Sequence, residues 1–366
     1  MTKEPTTRQR AAGLDPNAIE QTLNDLWREH ADAARQGEPM GARARLANLV
    51  TYSRTDEEDE RAAGVVAELN ASRPVRSIRI LAKPDGEAAA SASIQCRATG
   101  TRPICYEEVT LSTPGDTREA LPSLIEPLTI TDLPTFLWFP GDPPLDEEAA
   151  LRLLPFVDRV VTDSHRFADA PARFRQLCGL MREYHGQVVF TEMTWTRLGT
   201  WREAVGKLFD PESSRAFLPK THDVVITSVA GVDQPSDRAL LMAGWLAAKL
   251  NWKPVGYMDG KPLRARYEAA DGPVTVTFEE GAATSPGHLL SLEMRAGEVV
   301  FRAKRRDDDP SGAIQSTTVC SGEEAHGPAY RPQILSLSEL LCNAMEIRSP
   351  FTDWEEALAA VAGLEG

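Results

Sequence analysis

The order of apolar and polar positions divides the chain into two regions of different character. Between residues 45 and 208, short β-branched or aromatic runs are followed by stretches with apolar residues at helical spacing. Strands that alternate with helices of roughly 10 to 15 residues are typical of a mostly parallel sheet. After Trp252, short segments of alternating polarity are separated by glycine-containing turns, which favours an antiparallel meander. The pattern predicts an α/β N-terminal domain with a mostly parallel sheet, plus an α+β C-terminal domain with an antiparallel meander.

The strand at the centre of the predicted parallel sheet lies within residues 133–144. This segment is an apolar run that stops abruptly in a turn of proline, glycine and aspartate, before residues 145–154. Such a run reads as a strand buried on both faces that leads into a helix. Trp138 and Phe139 stand at its carboxyl end, where α/β folds hold their ligands. For both side chains we weigh core packing first and a partner-facing aromatic edge second.

Chain length and two punctuating segments suggest the domain boundaries. A chain of 366 residues is too long for one ordinary core, so roughly two domains of about 150 residues are expected. Asp15 and Pro16 form an N-cap and first position for an amphipathic helix over residues 15–35. Residues 209–222, which include acidic residues and prolines, form the best candidate for the boundary between the two domains. We predict a helical extension (1–40), an α/β domain (41–215) and an α+β domain (216–366).

Composition and charge exclude several classes of partner. The chain is 42% hydrophobic and 26% charged, as in soluble globular proteins. Its formal net charge of -14 argues against binding to nucleic acid or to an anionic membrane, since both require a positive face. Residues 1–13 lack the apolar core of a signal peptide, and no segment approaches the roughly 18 apolar residues of a membrane span. We therefore expect a cytoplasmic protein.

The cysteines are widely spaced and odd in number, which fits a reducing compartment better than a disulfide framework. They are Cys96, Cys105, Cys178, Cys320 and Cys342. Buried free thiols are the expectation for all five, with one alternative, that Cys96 and Cys105 meet across a hairpin. No CxxC pair occurs, so the sequence encodes no local zinc knuckle.

Aromatic and basic residues interleave between residues 194 and 203. The four that stand out are Trp195, Arg197, Trp201 and Arg202. One interpretation packs the tryptophans under the sheet and leaves the arginines in water. The other is an interface or anion site, since tryptophan and arginine dominate binding hot spots.

The search for catalytic motifs finds none. The sequence contains no GxSxG elbow, HExxH motif, EF-hand loop, P-loop or kinase signature. Ser164 and His165 follow a predicted strand and could be read as a nucleophile with its base. Adjacent residues rarely face one another, however, so a helix cap at Ser164 and an exposed imidazole at His165 form the simpler interpretation. No catalytic residue, metal or cofactor is predicted.

A candidate anion site follows the strand at residues 223–229. A loop with one glycine (residues 230–235) precedes a helix that ends near residue 250, and free backbone N–H groups at such a helix start can hold an anion. A single glycine is far short of a nucleotide-binding motif. Asp233 is the expected N-cap, and we name Asp233 and Arg238 here, with Arg76 elsewhere in the chain, as candidate anion-binding residues.

Four segments in register resemble one known family. They are residues 45–50 (RLANLV), 133–144 (LPTFLWFPGDPP), 158–164 (DRVVTDS) and 195–210, which begins WTRL and ends LFD. Together they resemble the glucose-6-phosphate dehydrogenase assembly protein family, known as OpcA, from about residue 43 to residue 252. The resemblance of the C-terminal strand region is looser and rests on residues 224–252.

The resemblance implies a protein that is not itself an enzyme. Family members act as partners of glucose-6-phosphate dehydrogenase, promoting its active oligomer or raising its response to substrate at the entry to the oxidative pentose phosphate pathway. On this hypothesis the candidate interface residues are Trp138, Phe139, Trp195, Arg197, Trp201 and Arg202. Arg76 is the nearest counterpart of an arginine in a Pro-Ser-Arg pattern of the family.

One further implication of the resemblance concerns the cysteines. In cyanobacterial relatives the partnership is linked to thioredoxin through cysteines, but none of the five cysteines here matches a redox motif.

The competing hypothesis is a phosphosugar- or nucleotide-binding α/β enzyme that uses residues 230–237 with Arg238, or Ser164 and His165.

Overall fold

The structure is a computed structural model that describes residues 6–37, 41–99, 102–229, 235–282, 288–306, 309–346 and 352–364. Its strands are β1 (Thr6–Ala12), β2 (Ala42–Arg43), β3 (Asn48–Ser53), β4 (Arg76–Leu81), β5 (Ala89–Thr99), β6 (Arg102–Ser112), β7 (Thr135–Trp138), β8 (Arg159–Thr162), β9 (Val189–Glu192), β10 (Thr221–Ser228), β11 (Lys253–Met258), β12 (Leu263–Ala269), β13 (Gly272–Glu280), β14 (Leu289–Ala296), β15 (Val299–Arg305), β16 (Ile314–Cys320) and β17 (Glu323–Tyr330). Its helices are α1 (Pro16–Arg35), α2 (Asp56–Ser72), α3 (Leu121–Ile125), α4 (Glu148–Leu151), α5 (Ala170–Glu183), α6 (Met193–Arg197), α7 (Gly199–Lys207), α8 (Glu212–Arg215), α9 (Asp237–Lys249), α10 (Leu337–Glu346) and α11 (Thr352–Ala362).

The chain divides into two units, each built from separated stretches. The first takes its described residues from Met1–Arg166, Tyr184–Thr191 and Ser336–Pro350, and the second from Phe167–Glu183, Glu192–Leu335 and Phe351–Gly366. The contiguous division predicted at residues 40 and 215 stays a prediction. Within the described part of the chain, no helix is both long and apolar enough to cross a bilayer.

The first unit contains a sheet of nine strands in the order β1-β5-β6-β4-β3-β7-β8-β9, with β2 paired to β6. The pairs β6/β4, β4/β3, β3/β7 and β7/β8 are parallel. When β1, β2 and β5 are left out, the remaining six strands β6-β4-β3-β7-β8-β9 have the order 3-2-1-4-5-6 in the chain, as in doubly wound dinucleotide-binding sheets. The predicted mostly parallel sheet and the central position of β7 are both confirmed.

Local chemistry explains where α2 begins. Thr55 is the N-cap, and its side-chain oxygen accepts the N–H of Glu58 at 3.2 Å. The first turn carries Asp56, Glu57, Glu58 and Asp59, whose charges the helix dipole favours. The acidic run at residues 56–60 predicts a helix start on sequence grounds, and the structure confirms it.

Two elements differ from the sequence-based prediction. Strand β1 was not predicted, and it pairs antiparallel with β5 from Thr6 opposite Cys96 to Ala12 opposite Ala90. It is a polar edge strand, so it has no apolar period for a sequence pattern to reveal. The helix expected over residues 145–154 contracts to α4, because Pro155 cannot donate a helical hydrogen bond and a short 3-10 turn replaces the last turn.

Two helix caps differ from the residues expected from the sequence, which are Asp233 for α9 and Ser338 for α10. Ser236, and not Asp233, caps α9, because its side chain accepts the N–H of Ala239 at 3.1 Å; Asp233 lies outside the described residues. Helix α10 begins with a reciprocal capping pair. Glu339 donates its backbone N–H to Ser336 Oγ at 3.2 Å, and its carboxylate accepts the Ser336 N–H at 2.7 Å.

The second unit contains a sheet of eight strands in the order β11-β12-β13-β10-β14-β15-β16-β17. Every pair is antiparallel except β10/β13, so the predicted antiparallel meander is confirmed with one parallel addition. Buried Val224 and Ile226 alternate with half-buried positions along β10, which marks one face as core. Helices α9 and α11 pack so closely that a Cβ on Gly244 would lie 2.2 Å from the carbonyl oxygen of Ala357.

The two edges of this second sheet are irregular. Strand β17 is exposed along nearly its whole length and carries Glu323, Glu324 and Pro328. At the other edge, β11 contains a register shift between Pro254 and Gly256. Both edges therefore interrupt the row of backbone hydrogen-bonding groups.

Candidate functional site

The strand order of the first sheet points to one place for a ligand. In doubly wound sheets, ligands bind at the carboxyl ends of the two strands where the chain order reverses, here β3 and β7. Strand β3 leads through Arg54 into α2, and β7 leads into a turn at residues 139–142. In dinucleotide-binding proteins, a glycine-rich loop and the helix N-terminus hold the pyrophosphate at this position.

A carboxylate of the protein itself occupies this position. Glu58 Oε2 accepts the backbone N–H of Arg54 at 2.6 Å. Gly141 approaches the same side chain so closely that a Cβ there would lie 2.0 Å from Glu58 Oε1. With the other acidic residues of the first turn of α2, Glu58 places negative charge where the fold would otherwise receive a phosphate. The arrangement therefore disfavours a phosphate at this edge.

The side chains around Glu58 bind one another. Arg54 donates to the carbonyl oxygen of Asp142 at 3.1 Å and lies 3.5 Å from Glu147 Oε1. Tyr52 donates to Glu147 Oε2 at 3.2 Å. Burial, followed by the charge of Glu147, raises the pKa of Tyr52, so its hydroxyl stays protonated as a donor. The turn after β7 is thus tied to the end of β3 through internal contacts.

A cavity of this unit lies at the amino ends of β7 and β8, at the opposite end of these strands from Glu58. It has a volume of about 540 Å³, and its lining includes Phe136, Asp158 and Arg159. Arg159 donates to the carbonyl oxygen of Ala344, and its guanidinium lies 6.0 Å from the centre of the Phe136 ring. Burial lowers the pKa of Arg159. Because this cavity is at the amino ends of β7 and β8, it is not where doubly wound sheets hold ligands.

Arg76, a candidate anion-binding residue, is engaged inside the protein. Its side chain is 5% exposed, forms an ion pair with Glu20, and lies 3.7 Å from Glu107 Oε2. Glu107 is fully buried and also pairs with Arg43 and Arg45. To bind an external anion, Arg76 would have to exchange two carboxylates of its own chain for the ligand.

The aromatic interface candidates lie in the cores of their units. Trp138 and Phe139 are 1% and 2% exposed, and Trp195 and Trp201 are 2% and 7% exposed. This burial fits the core-packing alternative for all four side chains. A direct contact to a partner would require them to leave their packing.

The two arginines of the same segment differ from the tryptophans. The Arg202 guanidinium lies 3.8 Å from the centre of the Trp195 ring and donates to the Trp195 carbonyl oxygen at 2.7 Å. Burial lowers the pKa of Arg202 to about 10, against an opposing effect of Asp353. Arg197 is half-buried and donates to Thr194 Oγ1 at 3.3 Å. These two are the predicted interface residues with accessible surface.

The remaining candidates do not form a described site. Ser164 is 2% exposed, whereas its neighbour His165 is exposed. This difference fits the interpretation in which the two side chains do not act together. Arg238 is half-buried on α9. Asp233 lies outside the described residues, so the anion site predicted at its loop stays a prediction.

The sequence did not predict the cluster around Cys96 and Cys105. These residues face one another across β5 and β6 and form a disulfide. The expectation of five free thiols is wrong for this pair, and the hairpin alternative is confirmed. His30 lies beside the bond, with Nε2 3.8 Å from Cys105 Sγ and 4.0 Å from Cys96 Sγ. His30 follows Leu23 and Leu26 on the buried face of α1, and this helical spacing is the sequence signal that could have revealed the cluster.

Comparison with known proteins shows relatives of moderate similarity. The chain is 30% identical over 243 residues to a protein of Nostoc punctiforme named OxPP cycle protein OpcA, covering 66% of this chain and 49% of the relative. A protein of the same name from a Synechocystis strain is 27% identical over 252 residues, covering 68% of this chain and 50% of the relative. The chain thus spans about half the length of these curated relatives.

Solved structures match the chain at low sequence identity and with TM-scores below 0.5. Gal80p, a transcriptional regulator of Kluyveromyces lactis, matches with a TM-score of 0.47 and 8% identity, over 88% of this chain and 89% of that one. A myo-inositol 2-dehydrogenase of Lactobacillus plantarum matches with a TM-score of 0.41 and 10% identity, over 86% and 95%. Similarity at this level carries no argument about function.

Two family models match consecutive parts of the chain. The model described as glucose-6-phosphate dehydrogenase subunit N-terminal domain matches residues 66–178, and the one described as the C-terminal domain matches residues 188–340. Together they cover well over half of the chain, in the order of their domains. The chain therefore belongs to the OpcA family of glucose-6-phosphate dehydrogenase assembly proteins.

Proposed function

We propose that this chain is a non-catalytic assembly factor or allosteric activator of glucose-6-phosphate dehydrogenase, acting in the cytoplasm at the entry to the oxidative pentose phosphate pathway. The observation that carries the proposal is the match of both domains of the family in order. The partner is the dehydrogenase itself, with neither nucleic acid nor membrane involved.

The end of the first sheet supports the non-catalytic part of this proposal. Glu58 and the acidic first turn of α2 lie where the pyrophosphate of a dinucleotide would bind in this fold. Repulsion between these carboxylates and a phosphate makes a dinucleotide-dependent reaction at this edge unfavourable. An activator needs no such site, because it acts by binding one state of its partner more tightly than another.

A contact with the partner is proposed at the aromatic and basic segment. Arg197 and Arg202 present accessible surface above the buried Trp195. In this arrangement Trp195 holds Arg202 in place, Arg197 is anchored to Thr194, and the two arginines supply donors that a partner carboxylate could accept. Arg202 serves both the fold and the contact, so Arg197 is the cleaner position for a substitution.

The test mixes the full chain with the glucose-6-phosphate dehydrogenase of the same genome. Light scattering after size exclusion measures the mass of the complex, and initial rates measure the response to glucose 6-phosphate. We expect co-elution together with a higher rate or a lower KM, and weaker binding for Arg197→Ala. An acidic protein of similar size serves as the control. Separate elution with unchanged kinetics would refute the proposed function.

The strand order of the first sheet favours one alternative, a phosphosugar- or nucleotide-binding enzyme. A ligand present at 100 times its dissociation constant stabilises the folded state by about 2.7 kcal/mol, which a thermal-shift screen detects. We expect no shift with glucose 6-phosphate or with nicotinamide nucleotides. A reproducible shift with either kind of ligand would favour the enzyme over the assembly factor.

A further inference from the structure

Three potential metal ligands converge in the interior of the first unit. His30 on α1, Cys96 on β5 and Cys105 on β6 are 5%, 8% and 0% exposed. Their ligand atoms all lie within 4.8 Å of one another. The cluster is distinct from the end of the sheet at Glu58 and from the segment with Arg197. The proposed function uses none of these three residues.

The distances fit tetrahedral coordination by thiolate and imidazole. A zinc ion binds sulfur at about 2.3 Å and nitrogen at about 2.0–2.1 Å, so its sulfur and nitrogen ligands lie roughly 3.5–3.8 Å apart. His30 Nε2 already lies 3.8 Å from Cys105 Sγ and 4.0 Å from Cys96 Sγ. Because β5 and β6 hold the two cysteines directly opposite one another, reduction leaves the sulfur atoms as close neighbours.

The position of His30 Nε2 also suits a metal. Gly41 donates its backbone N–H to His30 Nε2 at 3.2 Å, so Nε2 acts as an acceptor, and the lone pair that receives this N–H is the one that a metal would use. Gly41 can approach because it has no side chain; a Cβ there would lie 2.1 Å from Cys105 Sγ. A metal on Nε2 would take the place of the Gly41 N–H, so cation binding and this backbone contact exclude one another.

The charge balance favours a divalent ion in this buried place. Two thiolates neutralise the charge of a divalent cation, and a neutral imidazole adds none, so the complete site carries no net charge. Burial of a neutral assembly avoids the large cost of an isolated buried charge. Thiolate and imidazole are also the ligands that zinc prefers in proteins.

We propose that His30, Cys96 and Cys105 bind Zn²⁺ or a similar thiolate-preferring divalent cation when the disulfide is reduced. A dithiol reductant gives two electrons to the bond between Cys96 and Cys105 and is oxidised to its cyclic disulfide, while its two protons pass to the cysteine sulfurs. The cation then binds both sulfurs and releases these two protons to water. Oxidation and metal binding are alternative states of the same pair.

The metal state would tie α1 to the hairpin of β5 and β6. Three protein ligands leave one tetrahedral position for water or another small ligand. In the oxidised state the same elements are joined by side-chain packing of Leu26 and Ile94 around the disulfide. The redox state would thus decide whether α1 is bonded to the sheet through His30.

The test uses the full chain in oxidised form and after reduction with a phosphine that is removed before zinc is added. Bound zinc is measured by mass spectrometry after desalting, and its affinity by competition with a coloured chelator. We expect one zinc ion per reduced chain and none per oxidised chain. His30→Asn should lower the affinity for zinc by more than about tenfold. Loss of a residue that only hydrogen-bonds a metal ligand already lowers metal affinity by about tenfold or more. Cys320→Ser, at an exposed free thiol, is the matched control and should retain the zinc.

A second measurement avoids variants that fail to fold. Zinc should protect Cys96 and Cys105 of the reduced wild-type chain from alkylation by iodoacetamide, while labelling of Cys320 stays unchanged. Replacement by Co²⁺ should produce a sulfur-to-cobalt charge-transfer band in the near ultraviolet. Equal zinc content in oxidised and reduced chains, or equal labelling with and without zinc, would overturn the proposal.

Discussion

Glu107 should be one of the most important charged residues for the stability of the first unit. Its side chain is 0% exposed, and it lies among Arg43, Arg45 and Arg76, whose side chains are 37%, 21% and 5% exposed. It also accepts the indole N–H of Trp27. The substitution Glu107→Gln preserves shape and one acceptor but removes the negative charge.

The structure indicates the size of the effect. Loss of one partner from a buried ion pair costs about 3–5 kcal/mol, because the other charge remains buried without compensation. Here that charge is Arg76, which keeps Glu20 as a second partner, whereas Arg43 can turn toward water. We therefore expect a loss near the lower end, about 3 kcal/mol, which is more than about a hundredfold in the unfolding equilibrium.

Hydrogen exchange of the β6 amides under native conditions measures this loss locally. A local readout is preferable because the two units need not unfold in a single transition. Glu29→Gln is the control, since Glu29 and its partner Arg10 are 46% and 48% exposed and such pairs contribute about 0–1 kcal/mol. If Glu107→Gln reduces protection no more than the control does, the buried charges do not stabilise the unit as argued here.

Three further predictions concern close contacts and pH. Gly244→Ala should destabilise the second unit by about 1–3 kcal/mol in urea unfolding, because its Cβ would meet a backbone oxygen of α11, whereas Gly206→Ala, with open space around it, should not destabilise it. Gly141→Ala should displace Glu58 and lower the protection of the Arg54 amide in hydrogen exchange; unchanged protection would contradict the contact. Burial raises the pKa of Glu108 above its ordinary 4.5, so its contribution to stability is present below pH 4.5 and is lost as pH rises through the folded pKa. Unfolding midpoints measured across this range should fall less with rising pH in Glu108→Gln than in the wild type; equal slopes would contradict the shift.

Features set by local sequence were predictable. The buried run of β7 and the acidic start of α2 depend on neighbouring residues, and both agree with the structure. The cap of α10 was expected at Ser338 and lies at Ser336, although the glutamate three residues after Ser336 is itself a local signal for this capping pair. The change from helical to alternating apolar spacing correctly separated the two kinds of sheet.

Features set by contacts between distant residues were not predictable. Strand β1 is held by backbone hydrogen bonds to β5, which no side-chain pattern records. The close approach of Gly141 to Glu58, 83 positions apart in the chain, decides how the end of the sheet is filled. The position of His30 beside the disulfide likewise depends on how α1 packs on the hairpin. Each of these three contacts can be identified only once the fold is known.

The irregular edges of the second sheet limit how this protein can associate with others. Pro328 in β17 has no N–H to give to an added strand, and the glutamates beside it resist close pairing. The register shift near Pro254 interrupts β11 in the same way. Strand addition to this sheet is therefore unfavourable, for a partner as well as for a second copy. Association through this sheet must use side chains, which makes it sensitive to salt and to single surface substitutions.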